Sequence, residues 1–505
     1  MVARALVVAA PASGSGKTTV ATGLMAALAR RGTAVAPFKI GPDYIDPGYH
    51  TLAAGRPGRN LDPVLVGEQR IGPLVRHGAA GCEVAVIEGV MGLFDGRVAD
   101  GYGSTAQVAA MVGAPVVLVV DCRGQSRSVA ALLHGFRSFD PGPRSAGGAA
   151  MGSTRSAGGA AMGSTRSAGG AAMGRARIAG VILNRVGSPR HEEVLRAACD
   201  EIGLPVLGVL PRRAELAVPS RHLGLVTAVE HGAAATAAVD AMAALVAEHV
   251  DLDAVVRVAE PLPAGPVWDP AGELGGFRAG PGVRTAVLGG AAFSFGYAEH
   301  VELLEVAGSE VVLVDPLRDR TLPAGVGGLV LPGGFPEEHV ADLGANVGLL
   351  AAIRGLAATG APIRAECGGL LYLCRELDGV PLVGALDATA AMTGRLTLGY
   401  REAVSLGDST GFVAGERVGG HEFHHCAVTP RAGAAPAWGW RGGEPEGFVA
   451  GGVHASFLHT HPAGTPGSVS RFLSAHVAAE LTGPADRPSC GRASASGPTG
   501  SRVGS

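Results

Sequence analysis

The sequence predicts an α/β protein built from two doubly wound domains. Short runs rich in Val, Ile and Leu alternate with Ala- and Leu-rich amphipathic stretches, which is typical of a buried parallel sheet covered by helices. The chain has 505 residues, too many for a single hydrophobic core. A segment rich in Pro and Gly at 260–282 interrupts the alternation and indicates a connection between domains.

The predicted strands fall into two groups on either side of this segment. In the first half they are 5–10, 34–40, 84–89, 114–121, 178–184 and 205–211. In the second half they are 285–290, 310–315, 328–334 and 361–366. We therefore predict one domain over 1–255, a linker over 256–283, a second domain over 284–480 and a disordered tail over 481–505.

One segment of the first half is an internal repeat. The sequence RSAGGAAMGST occupies 144–154 and again 155–165, and a third, incomplete copy begins at Arg166. Each copy carries three glycines and almost no large apolar side chain, so it cannot bury a seam against a neighbouring element. We interpret 141–175 as a flexible surface insertion without a catalytic role.

Composition and charge narrow the classes of partner. The formal net charge is −3 and no basic stretch stands out, so we expect no nucleic acid. No segment approaches the ~20 apolar residues that span a bilayer, so we expect no membrane association. Seven scattered cysteines without a CxxC pair argue against a disulfide framework and for a reducing cytoplasm.

A Gly-rich loop follows the first predicted strand and precedes a helical pattern. The segment PASGSGKTT at 11–19 has the strand–loop–helix context of a P-loop, although a strict motif would have Gly where this chain has Pro11. Backbone N–H groups of such a loop face phosphates, Lys17 adds a positive charge and Thr18 offers a hydroxyl to Mg²⁺. An ordinary Gly turn is the alternative. The predicted ATP-binding residues here are Ser13, Gly14, Ser15, Gly16, Lys17, Thr18 and Thr19.

Acidic residues follow the next two strands. Ligands bind beyond the carboxyl ends of strands in open α/β sheets, and Mg²⁺ bound with nucleotide takes one or two carboxylates. We favour Asp43 and Glu88, with Thr18, as metal ligands, because Glu88 ends an apolar strand and cannot be a solvated surface charge. Asp46 and Asp95 stand in turn contexts that Asp also favours for backbone reasons. The other candidates on this edge are Lys39 and Tyr44.

The second half contains a candidate nucleophile. In APIRAECGGLLYL a strand, a tight turn and a helix place Cys367 at a sharp bend, where we expect the helix N-terminus to lower the pKa of the thiol. The alternative is a small buried core residue. Gly333 and Gly334 follow an upstream strand and are suited to an oxyanion hole, and His459 is the candidate general base.

A histidine-rich segment, GHEFHH at 420–425, allows two other interpretations. Its side chains could form a metal cluster or line a pocket as polar groups. Metal ligation would normally show tighter spacing and a matching second pair, so we favour the polar lining.

Taken together, these motifs resemble those of the cobyrinate (hydrogenobyrinate) a,c-diamide synthase family of corrin biosynthesis. The resemblance covers about residues 4–465 and excludes the repeat and the tail. It rests on APASGSGKTT, FKIGPDYIDPGYH, EGVMGLFDG, GVILNRVGSPRH, LPGGFPE, ECGGLLYL, GHEFHH and ASFLHTH. The first half is similar to the dethiobiotin-synthetase type of P-loop domain, and the second to class I glutamine amidotransferases, which have a flavodoxin-like fold.

The resemblance implies an ATP- and Mg²⁺-dependent ligase that amidates two corrinoid acetate groups. Glutamine would supply ammonia through a thioester on Cys367, with His459 carrying protons, and the ammonia would pass internally to an acyl phosphate. Asp43, Tyr44 and Asp46 are expected to position the corrinoid. Further roles implied by the resemblance are carboxylate activation for Asp95, nucleotide binding for Lys39 and adenine recognition for Asn184.

The resemblance leaves several points open. Ordinary class I amidotransferases have Glu two residues after the catalytic His, where this chain has His461, so the partner that orients His459 is unassigned. The rivals are cobyric acid synthase, the a,c-diamide synthase of nickel-sirohydrochlorin, a partitioning-type ATPase switch without glutaminase activity, and an ammonia-only ligase. A cytoplasmic enzyme is expected, and a homodimer is left open as its oligomeric state.

Overall fold

The computed structural model describes residues 2–140, 176–212, 220–221, 224–225 and 227–481. The predicted repeat insertion at 141–175 lies outside the described residues, and so does the predicted tail at 481–505 except for Leu481, which ends a helix. Each strand predicted from the sequence is present, with its ends moved by one to three residues, and the α/β class is confirmed.

A mostly parallel sheet forms the first half. Its strands are β1 (Arg4–Ala9), β2 (Val35–Ile40), β3 (Arg59–Leu61), β4 (Val84–Glu88), β5 (Val116–Asp121), β6 (Ile178–Val186) and β7 (Val206–Pro211). A small pair, β8 (Ser220–Arg221) and β9 (Gly224–Leu225), stands apart, and β10 (Glu260–Pro261) adds antiparallel to β1. The order β3-β2-β4-β1-β5-β6-β7 reverses direction at β1, which places a switch point beside the Gly-rich loop.

Helices cover both faces of this sheet. They are α1 (Lys17–Arg30), α2 (Asp46–Ala54), α3 (Pro63–Val66), α4 (Glu68–Gly78), α5 (Thr105–Val112), α6 (Val129–Ser138), α7 (Pro189–Glu201), α8 (Ala228–His231), α9 (Ala233–His249), α10 (Leu252–Val258) and α11 (Pro270–Glu273). The central strands are buried on both faces because they consist almost wholly of β-branched and small apolar residues.

A second sheet forms the core of the other half. Its strands are β11 (Arg284–Leu288), β12 (Glu310–Val314), β13 (Gly328–Leu331), β14 (Ile363–Glu366), β20 (Phe448–Ala450) and β21 (Val453–Ser456). The order is β12-β11-β13-β14-β21-β20, and only β20 among them runs antiparallel. The helices here are α12 (Ala298–Val306), α13 (Val340–Ala345), α14 (Val347–Ala358), α15 (Gly368–Leu373) and α16 (Pro466–Leu481), with a 3₁₀ turn at Pro336–His339.

A third, largely antiparallel sheet was not predicted. It contains β15 (Glu376–Leu377), β16 (Val380–Pro381), β17 (Thr389–Ser405), β18 (Arg417–Thr429), β19 (Trp438–Gly439) and β22 (His459–Thr460). Strands β17 and β18 form a long hairpin that carries the histidine-rich segment, and β18 pairs with β22. This pairing brings the 420–425 segment against the strand of His459.

Buried polar contacts join the two halves. The Arg59 guanidinium donates to Glu299 at 2.7 Å and also pairs with Glu302. On the hairpin, the hydroxyl of Tyr400 donates to Asp62 at 2.8 Å. Because these partners come from both halves and are largely withdrawn from water, they fix how the second half faces the first.

Among the residues that the structure describes, no single helix is long and apolar enough to cross a bilayer. One pair of helices, bent by 96° between Pro336–Ala345 and Val347–Ala358, meets the criteria of length and composition only.

Candidate active site

The Gly-rich loop adopts the conformation that a phosphate cradle requires. Gly14 and Gly16 have φ values of 77° and 98°, and helix α1 begins directly after Gly16. A Cβ on Gly16 would lie 2.3 Å from the side-chain nitrogen of Asn184, so only glycine fits there. No side chain caps this helix, which leaves its first N–H groups available to an anion.

Asn184 and its neighbour hold the loop from the end of β6. The amide of Asn184 donates to the carbonyl of Ser15 at 2.9 Å, and its oxygen accepts from the N–H of Arg185. Arg185 in turn donates to the carbonyl of Gly14 at 2.9 Å and pairs with Asp121 at 2.5 Å. In this structure Asn184 therefore supports the phosphate loop. Its predicted role in adenine recognition stays a prediction.

A buried charge cluster stands at the mouth of the loop. The carboxylate of Glu88 accepts from Thr18 at 2.7 Å, from Lys39 at 2.9 Å and pairs with His50 at 2.7 Å. Asp46 accepts from Lys39 at 2.6 Å and lies 3.4 Å from the hydroxyl of Thr18. Five side chains from β2, β4 and the starts of α1 and α2 thus meet at one sheet edge.

Lys39 and Glu88 hold each other in the charged form. Burial alone would lower the pKa of Lys39, but Asp46 and Glu88 outweigh it and raise that pKa far above its usual range. Burial alone would raise the pKa of Glu88, but Lys39 and His50 hold it well below its usual range. Lys39 is therefore a fixed cation and Glu88 a fixed anion at neutral pH.

The other acidic candidates occupy turns. Asp43 accepts from the backbone N–H groups of Ile45 and Asp46 at 2.8 and 3.2 Å, and Asp95 accepts from that of Gly92 at 3.0 Å. The contacts with Thr18 are made by Asp46 and Glu88, whereas Asp43 braces the turn that presents Asp46. Sequence reasoning overlooked His50, whose position one helical turn after Asp46 was the available signal.

The donor set fits a magnesium ion carried by nucleotide. Thr18, Asp46 and Glu88 bring hydroxyl and carboxylate oxygens to one point next to the phosphate loop. Mg²⁺ prefers such oxygens and usually completes its coordination with phosphate and water.

The candidate thiol lies in a sharp strand-to-helix turn. Cys367 has φ 49° and ψ −106°, between β14 and α15, and its N–H donates to the carbonyl of Ser456 at 2.8 Å. A non-glycine residue at positive φ is strained, and such strain is concentrated at functional sites. This is the geometry of a nucleophile elbow.

The expectation about the acidity of this thiol is wrong for the conformation observed. Only 5% of Cys367 is exposed, and burial, reinforced by Glu337, raises the pKa of the thiol far above its usual range. Helix α15 has six residues, and its N-terminal N–H at Gly368 does not offset the burial. In this conformation the sulfur is therefore closed to solvent.

The glycine pair and the histidine pack around the elbow. A Cβ on Gly333 would lie 2.4 Å from Cε1 of His459, and a Cβ on Gly368 would lie 3.0 Å from the backbone nitrogen of Gly334. These approaches need glycine and bring Gly333, Gly334 and His459 to the turn that carries Cys367. Burial, with a contribution from His424, lowers the pKa of His459 to about 3, so the resting imidazole is neutral.

The histidine-rich segment lines this region from β18. His421 lies opposite His459 in the strand pair, and His424 stacks on Phe457 with ring centroids 3.9 Å apart. Glu422 accepts from Arg401 at 2.6 Å. Within the described ranges no group of three or more His, Cys, Asp or Glu side chains could hold a metal ion. The polar-lining interpretation fits these contacts.

Tyr44 reaches the thiol site from the first half. Its ring stacks on Phe295 at 5.2 Å and lies 4.9 Å from the ring of His459, and its hydroxyl bonds to that of Tyr297 at 2.7 Å. The same turn presents Asp46 to the phosphate loop. One short segment therefore contributes to both candidate sites, a link that sequence spacing could not show.

Glu446 supports the strand that leads to His459 and should make stability depend on pH. It accepts from the hydroxyl of Ser456 at 2.7 Å and the N–H of Phe457 at 2.8 Å. Burial raises the pKa of Glu446 to about 7. Between its ordinary value and about 7 the folded chain holds a proton that the unfolded chain releases, so this group lowers stability as pH rises through that window.

Glu446→Gln removes this titration. Relative to the parent chain, its thermal unfolding midpoint should therefore rise progressively from about pH 5 to about pH 8. Glu444 is an exposed neighbour of Glu446, and Glu444→Gln is the matched control. Its thermal unfolding midpoint should differ from that of the parent chain by the same amount at every pH. A constant difference for Glu446→Gln would contradict the assigned titration.

Comparison with known proteins agrees with this division of sites. Residues 6–226 match the family described as the CobQ/CobB/MinD/ParA nucleotide binding domain. Residues 284–466 match the family described as the CobB/CobQ-like glutamine amidotransferase domain. A nucleotide-binding fold and a glutamine amidotransferase fold in one chain define a glutamine-hydrolysing carbon–nitrogen ligase.

Curated relatives extend over nearly the whole chain. The hydrogenobyrinate a,c-diamide synthase of Mycobacterium tuberculosis is 56% identical over 94% of this chain and 98% of its own length. That of Streptomyces coelicolor is 53% identical over 93% and 96%. The cobyrinate a,c-diamide synthase of Synechococcus sp. is 37% identical over 93% and 98%. The chain belongs to the hydrogenobyrinate and cobyrinate a,c-diamide synthase family.

Proposed function

We propose that this enzyme amidates the a and c acetate groups of hydrogenobyrinate or cobyrinate, with ATP and glutamine, in corrin biosynthesis. The supporting observation is the shared segment at 43–46, which contacts Thr18 through Asp46 and His459 through Tyr44. The segment would thus connect an activating site at Asp46 with a nitrogen-releasing site at Tyr44. The relatives' names supply the macrocycle, since the matches cover 94% and 93% of this chain.

The thiol half releases ammonia. The proton of Cys367 passes to His459, the sulfur attacks the glutamine amide, and the Gly333–Gly334 segment offers N–H groups to the oxyanion. Collapse of the intermediate expels ammonia and leaves a thioester, which water then hydrolyses to glutamate. His459 donates the proton to the leaving nitrogen and takes one from the water.

The P-loop half activates the acceptor. A carboxylate is a poor electrophile, so ATP must convert it to an acyl phosphate before ammonia can displace phosphate and form the amide. Lys17 and the N–H groups of the loop hold the phosphates, while Thr18, Asp46 and Glu88 would hold Mg²⁺. When bound, Mg²⁺ supplies positive charge that neutralises the phosphate oxygens.

Two further assignments belong to the same proposal. Asp43 and Asp95 stand at this sheet edge, where they would orient and activate the corrinoid carboxylate, with Asp43 next to the metal ligands. Ammonia released in a site sheltered from water remains unprotonated. This favours its internal transfer from the thiol past Tyr44 to the acyl phosphate. We also propose the predicted domain division, with synthesis over 1–255 and glutamine hydrolysis over 284–480, in a cytoplasmic enzyme.

Mass spectrometry identifies the acceptor. Purified protein is incubated with ATP, Mg²⁺, glutamine and, separately, hydrogenobyrinate, cobyrinate, cobyrinate a,c-diamide or nickel-sirohydrochlorin. Two successive replacements of OH by NH₂ are expected on the first or second macrocycle. Reaction on cobyrinate a,c-diamide alone would indicate a cobyric acid synthase. Reaction on nickel-sirohydrochlorin alone would indicate the a,c-diamide synthase of that macrocycle. ATP hydrolysis without glutamine hydrolysis would indicate a nucleotide-driven switch.

A further inference from the structure

In the described part of the chain, His459 has no hydrogen-bond acceptor within bonding distance of the ring nitrogen that orients a histidine base. The Cε1–Nε2 edge of its ring faces Gly333, on the side of the elbow. Its other nitrogen, Nδ1, is buried and has no hydrogen-bond partner among the described residues. A histidine that takes a proton on Nε2 keeps one on Nδ1, and an acceptor there fixes the ring and stabilises the imidazolium.

The position two residues after the histidine cannot provide that acceptor. Residue 461 is His461, whose ring packs at a tilt of 37° against the ring of Tyr297, with centroids 4.0 Å apart, and whose Nε2 lies 4.0 Å from Glu299. His461 therefore packs against Tyr297 and Glu299, the residues that contact Tyr44 and Arg59 of the first half, and is not placed as an acceptor for Nδ1 of His459. A carboxylate for His459 has to come from another segment.

Glu366 stands in the required place. It ends β14, immediately before Cys367, and its Oε2 lies 3.9 Å from Nδ1 of His459. Its other oxygen, Oε1, accepts from Arg364 at 2.9 Å and from the hydroxyl of Thr460 at 3.0 Å. With Oε1 held by these donors, Oε2 is the oxygen directed at the imidazole.

The other charged groups near His459 are already engaged. Glu422 accepts from Arg401 at 2.6 Å and lies 3.7 Å from His424. His421 and His424 face His459 from β18 and disfavour added positive charge. An approach of about 1 Å would turn the Glu366–His459 contact into a hydrogen bond of ordinary length.

We propose that Glu366 is the positioning residue for His459 in glutamine hydrolysis. When the proton leaves Sγ of Cys367 for Nε2, the Nδ1–H remains on the ring and is donated to Oε2 of Glu366. No proton is gained or lost by the group as a whole. This proposal rests on the proposed function, since it concerns the same thiol site, and it assigns the role that His461 cannot fill.

Glu366→Gln keeps the size of the side chain and removes its charge. Glutamine-driven amidation should fall at least about tenfold, whereas ammonium-driven amidation should stay within about twofold. Glu310→Gln is the matched control, because Glu310 also pairs with an arginine of this sheet, Arg284 at 2.8 Å, but lies at the far edge strand β12. The control should leave both donors unaffected.

The pH profile of thiol alkylation separates positioning from simple charge. Alkylation of Cys367 by iodoacetamide is followed by peptide mass spectrometry over a range of pH. Without its acceptor the His459 imidazolium is less stable, so the midpoint of the alkylation profile should lie at higher pH in Glu366→Gln than in the parent chain. If the Glu366 carboxylate only repelled the thiolate, its removal in Glu366→Gln would move the midpoint of the alkylation profile to lower pH. An unchanged or lower midpoint, with full glutamine-driven turnover, overturns the proposal.

Two further variants, Glu366→Asp and Cys367→Ser, separate failure of the role of Glu366 from failure of the proposed function. Glu366→Asp keeps the charge but draws it back from the ring, and should show an intermediate loss with glutamine only. It replaces Glu366→Gln if that variant does not fold, and parental turnover with glutamine then overturns the proposal. Cys367→Ser is measured in parallel: if it still uses glutamine the proposed function fails, whereas if it loses glutamine use while Glu366→Gln keeps it, only the role of Glu366 fails.

Discussion

Replacement of Cys367 by serine is expected to abolish amide formation from glutamine and to leave amide formation from ammonium salts at the parental rate. A serine hydroxyl in the same elbow is a far weaker nucleophile than a thiol that transfers its proton to His459, and no thioester forms. The loss with glutamine should be at least about a thousandfold, as for other catalytic nucleophiles. Rates are measured with each donor at saturating ATP.

Cys374→Ser provides the control for this change. Cys374 is a buried thiol just beyond helix α15, and its Sγ contacts the carbonyl of Leu370 at 3.4 Å, so its replacement perturbs the same helix without touching the elbow. It should keep both activities. Equal loss with both donors in Cys367→Ser would contradict a division of labour between the two halves.

Replacement of Lys17 by methionine is expected to lower amidation with both donors by at least about a hundredfold. The side chain begins helix α1 at the phosphate loop and is 8% exposed, so its charge acts on bound phosphate with little screening. Burial, with a smaller contribution from the Lys39 ammonium, lowers the pKa of Lys17 from its usual value. Methionine keeps the apolar stem and removes the charge.

The matched control for this change lies on the same helix. Arg30→Met removes a cation from the last turn of α1, where Arg30 pairs with Asp240 at the surface, and should keep both activities. Alkylation of Cys367 should be unaffected in Lys17→Met. Full ammonium-driven activity in that variant would show that the loop does not bind the reacting nucleotide.

Local sequence determines much of the fold. Most of the parallel strands were predictable because they are short apolar runs, and the central ones, such as β4 and β5, are buried on both faces. The antiparallel hairpin β17–β18 was not, since much of β17 is exposed and it contains Gly394 and Gly399, which weaken the pattern of alternation. Its stability comes from pairing and from contacts such as Tyr400 with Asp62.

Some parts of the candidate site could likewise be predicted from the sequence, and others could not. The phosphate loop and the thiol elbow are each encoded in one contiguous segment, so their strand–turn–helix contexts could be predicted from the sequence. The contacts of Asp46 with Thr18 and of Glu366 with His459 join distant segments, and spacing carries no information about them. The burial of Cys367, which reverses the expected shift of its pKa, is likewise a property of tertiary packing.

The measurement that tests the two-site account most directly compares glutamine and ammonium as donors in Cys367→Ser and Lys17→Met side by side. The account predicts that Cys367→Ser loses only glutamine-driven amidation, whereas Lys17→Met loses amidation with both donors and keeps a reactive thiol. Parallel loss of both donors in Cys367→Ser, or retained ammonium-driven amidation in Lys17→Met, would contradict it.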